Sequence, residues 1–193
     1  MKRYLSHLIA FCSLFSLQAQ LLNGTLDVNG MPSFIQSFQD TVQEAGIDDN
    51  SIGFESAIDA NQISFVLNPI LILSSSTLCS DNVFRYSVFM HTQNAPQNLT
   101  VKAKTYTNSG FRFPSFSIYD ILIIKPLGPR NLTATNGGNY VTIPNDASQA
   151  IKVCEFVGCR TDIPIQFKIE ASSLVQAGVS NFNIYYTVVA SLL

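Results

Sequence analysis

The stretch Pro164-Ile165-Gln166-Phe167-Lys168-Ile169-Glu170-Ala171 alternates without a break. Ile165, Phe167, Ile169 and Ala171 fall on one side, and Gln166, Lys168 and Glu170 on the other. A period of two is the mark of a strand with one face on a core and the other in water. A second run, residues 181–191, repeats the pattern. Phe182, Ile184, Tyr186, Val188 and Ala190 share a face, opposite Asn183, Tyr185, Thr187 and Ser191, with Val189 the one exception. Residues 172–178 connect the runs and end on Gly178. The sequence thus predicts a C-terminal hairpin over residues 163–190.

Working back from that pair, similar runs recur at intervals near ten residues. Residues 83–92 place Phe84, Tyr86, Val88 and Met90 together. Residues 99–106 set Leu99, Val101, Ala103 and Thr105 against Thr100, Lys102, Lys104 and Tyr106. Shorter strands are expected at 63–73, interrupted by Pro69, and at 116–124, 140–143 and 150–153. Turn-forming residues such as Asn94-Ala95-Pro96 and Asn108-Ser109-Gly110 separate them. Residues 21–28 alternate weakly and read as a first strand or a free arm. Residues 31–46 change period: Phe34, Ile35, Phe38, Val42 and Ala45 recur at steps of three and four, between Pro32 and Gly46, which predicts a short helix. Eight to ten short strands with no helix between them give an all-β chain, an antiparallel β-sandwich with one short helix near its start.

The first 19 residues read as a secretory signal peptide. Lys2 and Arg3 precede an apolar run over residues 5–17, and Ala19 suits the last position before a cut. One domain over residues 20–193 remains, large enough to bury a core without covalent help. Removing Lys2 and Arg3 leaves nine basic groups against 13 acidic ones, a net charge of −4. With no basic run, nucleic acid is not an expected partner. No later apolar run reaches the length of a membrane span. Charged residues make up 12% of the chain and Trp is absent, while Ser, Thr and Asn supply the polarity. That composition fits a periplasmic, cell-surface or extracellular β-protein better than a cytosolic enzyme.

Export permits disulfides. Cys79, Cys154 and Cys159 follow the leader, so one thiol is left over. Cys154 and Cys159 bracket the short stretch Glu155-Phe156-Val157-Gly158 and are the expected pair, with Cys79 as the rival partner for either. Asp48, Asn50 and Gly53 fall at the first, third and sixth positions of a calcium loop, and Asp59 at the twelfth. Ile52 stands where an oxygen ligand belongs, Glu55 where an apolar residue is usual, and Asp59 is shorter than Glu. A solvated acidic loop accounts for the same residues, and neither metal nor other cofactor is expected. His91, the one histidine beyond the leader, lies opposite the apolar face of its strand, and no nucleophile–base pair is visible. The chain therefore reads as a non-enzyme. Phe111, Phe113, Phe116 and Tyr119 cluster around Pro114. They read either as a plug at the end of the core or as a binding platform for a carbohydrate or small ligand.

The ending Leu174-Val175-Gln176-Ala177-Gly178, followed by a Tyr-rich alternating strand, resembles bacterial fimbrial-subunit-like proteins and spore-coat-protein-U-like secreted domains. Val179 follows the turn glycine where those proteins usually carry Tyr, and Tyr185 and Tyr186 come later. The resemblance implies an immunoglobulin-like sandwich, export, and a structural or adhesive role on the cell surface. The implied partners are further copies of the chain or other surface subunits. It also implies assembly by lending an N-terminal strand to a neighbour's open sheet edge, which residues 21–28 would supply. The alternative function is an extracellular carbohydrate- or small-ligand-binding module.

Overall fold

A computed structural model describes residues 23–35, 42–44, 47–48, 53–172, 174–175 and 178–191. The residue run that alternates most cleanly is its spine. Strand β12 (Cys159–Ala171) buries Ile163, Ile165, Phe167, Ile169 and Ala171 on one face. Lys168 and Glu170 stand on the other, where Glu170 pairs with Lys102 at 2.6 Å and with Lys168 at 3.1 Å. One edge of β12 takes β5 (Asn61–Leu67) and β4 (Phe54–Glu55), and the other takes β8 (Phe111–Phe113) and β7 (Leu99–Lys104). Strands β1 (Gly24–Asn29) and β10 (Val141–Ile143) complete this sheet at its two ends.

The facing sheet has the order β13 (Asn183–Ser191), β6 (Arg85–Gln93), β11 (Ile151–Val157), β9 (Thr133–Ala134), and all its pairings are antiparallel. Tyr86, Val88 and Met90 of β6, and Val153, Cys154 and Phe156 of β11, meet the apolar face of the first sheet. The rings of Phe65 and Tyr86 lie 4.4 Å apart across the interface, and Tyr86 stacks on Phe156 at 5.8 Å. A buried side chain of this size contributes about 1.5–3 kcal/mol. The expected antiparallel β-sandwich is the fold, and Tyr186 Oη donating to Asn61 Oδ1 at 2.6 Å ties β13 to β5 across it.

Several expectations are corrected. The two C-terminal runs are strands with the predicted inner faces, but they do not form a hairpin. β12 belongs to one sheet, and β13 pairs with β6 in the other. Alternation tells a strand which face is apolar, not which neighbour it bonds. Over residues 31–46 the described part contains no helix. Residues 31–35 have no regular structure, and β2 (Val42–Glu44) pairs with β3 (Ile47–Asp48); the remaining residues of the predicted helix lie outside the described ones. Its Phe, Ile and Val suit strands as well as helices. The apolar residues 70–73 form an exposed turn and not a strand. In place of a strand at 116–124 there is a single helical turn, α2 (Ile118–Ile121), and a following loop, which leave Ile118, Ile121, Ile123 and Ile124 exposed. The Ser/Thr stretch before it in the chain forms helix α1 (Ser75–Ser80), whose N-cap Ser74 accepts from the Thr77 amide.

The disulfide also differs. Cys79 bonds to Cys159, with Cα atoms 5.5 Å apart, and Cys154 is a buried free thiol. Gly158 is the reason. With φ at +77° it turns the chain from β11 in one sheet to β12 in the other, so the residues on either side of it part company. A Cβ there would stand 3.2 Å from the Asn82 carbonyl oxygen. Cys159 consequently meets α1, not its near neighbour in sequence. Among the described residues no helix is long and apolar enough to cross a membrane.

Candidate functional site

Two places on the molecule combine unusual geometry with accessibility. The first is the end of the sandwich where β8, β12 and the loop after β8 meet. β8 pairs with the start of β12 through Phe113 with Cys159, Arg112 with Arg160 and Phe111 with Thr161. The structure divides the four predicted aromatic residues. Phe111 and Phe116 are 69% and 65% exposed, Phe113 packs part-buried against the core, and Tyr119 is 1% exposed. Tyr119 packs with Leu127, Val157 and Val83 in a small second core, and its hydroxyl donates to the Gly128 carbonyl. Burial outweighs its neighbours and pushes that phenol above its ordinary range. The four therefore form no common platform. Phe113 and Tyr119 plug the core, and Phe111 and Phe116 face outward.

Between them runs a charge network that the sequence reading missed. Asp120 accepts from Arg112 at 2.7 Å and from the buried Arg130 at 2.9 Å, and it caps its own helical turn through the Ser117 amide at 3.0 Å. Burial works against the Asp120 carboxylate, but the Ser117 amide and the two guanidiniums prevail and hold it below the usual range. Arg130 also donates to the Ser117 hydroxyl and, at 3.4 Å, to the carbonyls of Phe113 and Pro114. Nothing in the spacing of Arg112, Asp120 and Arg130 marks them as neighbours, since the loop fold alone brings them together.

Beneath this network lies Arg160. The register of β12 on β5 gains one residue between Arg160 and Ile163, with Asp162 at φ +53°. That bulge reverses the alternation, so Arg160 sits opposite the inward-facing Phe65 and is 3% exposed. Its Nε donates to the Ser109 carbonyl at 2.6 Å and its Nη2 to Gly110 at 3.3 Å, while Nη1 has no partner among the described residues. Asn108, Gly110, Phe111, Arg112, Ser115, Asn131 and Arg160 line a cleft of about 320 Å³. The one sequence signal is that Arg160-Thr161-Asp162 interrupts the alternation of the run that follows.

The second place is the open side of the sandwich. A cleft of about 430 Å³ runs between the edge strands β1 and β13, lined by Gly24, Leu26, Phe65, Tyr86, Tyr186 and Val188 among others. β1 bonds along its whole length to β5, from Gly24 opposite Leu67 to Asn29 opposite Gln62. Five of its six residues are exposed, and Leu26 alone is partly covered. A Cβ on Gly24 would stand 2.4 Å from the Phe65 ring, so this residue type lets β1 close down on the core's edge.

The candidate calcium loop lies partly outside the described residues. Phe54 and Glu55, at its seventh and eighth positions, form β4 on the edge of β12. Asp48 belongs to β3, Asp59 lies exposed in the turn before β5, and Asn50 lies outside the described residues. No cluster of three or more His, Cys, Asp or Glu suited to a metal occurs among the described residues. His91 stacks on Tyr185 of the neighbouring strand, with ring centroids 4.9 Å apart and planes 7° from parallel. No protein-family model, curated protein or solved structure matches the chain.

Proposed function

We propose that the protein is an exported, non-catalytic structural or adhesive surface subunit that assembles with further copies of itself by exchange of β1. The observation that carries this reading is how little β1 adds to the core. It is held to β5 by main-chain hydrogen bonds along six residue pairs, while of its side chains only Leu26 is partly covered. The same main-chain groups on a second copy's β1 would satisfy the β5 edge equally well, which is strand addition between identical chains. The adjoining cleft, bordered by the half-buried inner face of β13, leaves room for a strand to enter and leave without disturbing the rest of the sandwich. The fimbrial-type resemblance of the C-terminal strand and the leader read in the sequence point to the same setting.

The test is the molar mass of the processed protein by size-exclusion chromatography with light scattering. Exchange predicts oligomers whose share rises with concentration. Thr25 and Val66 are directly opposite in the β1–β5 register. A Thr25→Cys, Val66→Cys variant locks β1 onto its own chain once oxidised, and should elute as a monomer until reduced. A wild-type protein that stays monomeric at millimolar concentration removes the reading, as do oligomers that persist in the locked variant.

A further inference from the structure

We propose that the cleft beside β8 binds the acidic group, a carboxylate or a sulfate, of a saccharide, with Arg160 and Arg112 as its counter-charges. The argument begins with a cost. Arg160 and Arg112 are directly opposite on adjacent antiparallel strands, where side chains share a face and like charges repel. Arg112 is compensated by Asp120 at 2.7 Å. Arg160 is not: no carboxylate of the described residues forms an ion pair with it. Its two donations to main-chain carbonyls come from Nε and Nη2, and the two N–H groups of Nη1 have no partner among the described residues. A charge buried this far is normally paired. Burial, then repulsion from Arg112, lowers its pKa to about 10, the response of a cation that lacks a counter-ion.

What surrounds this cation narrows the ligand. The cleft wall carries no carboxylate, and a planar guanidinium matches an oxyanion's geometry. The side-chain amides of Asn108 and Asn131 and the hydroxyl of Ser115 offer hydrogen bonds to sugar hydroxyls. The exposed ring of Phe111 offers an apolar face for the C–H side of a pyranose. About 320 Å³ holds one or two such rings, whereas a bare inorganic ion would leave most of the lining unused. This site is separate from the β1 edge, so it stands or falls independently of the assembly reading.

The experiment is NMR titration of the processed protein, following arginine Nε–H and backbone amide signals, with D-glucuronate, D-glucose 6-sulfate, D-glucose and inorganic sulfate at constant ionic strength. Saturable shifts at Arg160, Arg112 and Asn131 are expected with at least one of the two acidic sugars. Whichever binds identifies the acidic group. Neutral glucose should bind at least tenfold more weakly. The rim variant Arg112→Gln should weaken binding about tenfold while its backbone spectrum elsewhere stays that of the wild type. Arg160→Gln should abolish it, with a retained β-sheet spectrum as the control for folding. No saturable shift with either acidic sugar overturns the proposal, and so does undiminished binding in Arg112→Gln. Binding of inorganic sulfate that neither sugar improves on also overturns it, by showing a site for a bare ion.

Discussion

At the scale of single residues, chemistry here is decided by burial. Cys79, Cys154 and Cys159 differ in fate because Gly158 sends Cys159 into one sheet and leaves Cys154 in the other. Burial pushes the Cys154 thiol up to about 12, outweighing the nearby Arg160, so at neutral pH almost no reactive thiolate exists. Iodoacetamide should therefore leave Cys154 of the native protein unlabelled and label it, but neither Cys79 nor Cys159, after denaturation without reductant; a label on Cys79 would show the wrong pairing. The Cys79–Cys159 bridge closes a separation of 80 residues. Replacing both by Ala should lower stability by about 2–5 kcal/mol in urea unfolding, because the unfolded chain regains the freedom of that loop.

At the scale of elements, strands differ in what holds them. β12 is bonded on both edges and buries an apolar side chain at nearly every second residue, whereas β1 is bonded on one edge and buries almost none. Local opening follows that difference. In hydrogen–deuterium exchange, amides of β1 bonded to β5 should exchange at least a hundredfold faster than those of β12 bonded to β7. Equal protection would mean β1 opens only with the whole domain, which would count against its exchange between copies. Gly24→Val, which forces a side chain onto the Phe65 ring, should speed β1 exchange further and leave β12 unchanged.

At the scale of the whole molecule, the ion pairs set the acid limit of stability. Burial opposes ionisation of Asp120, Glu155 and Glu170, yet cationic neighbours outweigh it in each, helped at Asp120 by the Ser117 amide, and all three titrate below their ordinary values of 3.8, 4.5 and 4.5. A carboxylate with a lowered folded pKa stabilises fully above its unfolded value and loses that contribution as pH falls through the folded one. The melting temperature should therefore hold down to about pH 5 and drop below about pH 4. In Asp120→Asn it should be lower at neutral pH, since Arg130 is left buried without its carboxylate, and the acid drop should be shallower. A steeper acid drop in that variant would contradict the assignment.

Much of the sandwich was legible in the chain because a half-buried strand needs one apolar face, and a period of two states that locally. The inner faces of β6, β7, β12 and β13 all follow it. The apolar stretches at 70–73 and 116–124 misled because apolar composition alone does not say whether a run finds a core to face. Pairing lay beyond the pattern: alternation is the same whether β13 bonds to β12 or to β6, and that choice rests on sheet-to-sheet packing. The aromatic residues around Pro114 were visible, but their division into plug and rim was not. Arg160 was hidden most completely, since a single extra residue in a bulge reversed its face. The amino-acid order thus determined which surfaces must leave water. Only the three-dimensional packing decided which strands bond, which cysteines meet, and which cation is buried without a counter-charge, because each depends on contacts between residues far apart in the chain.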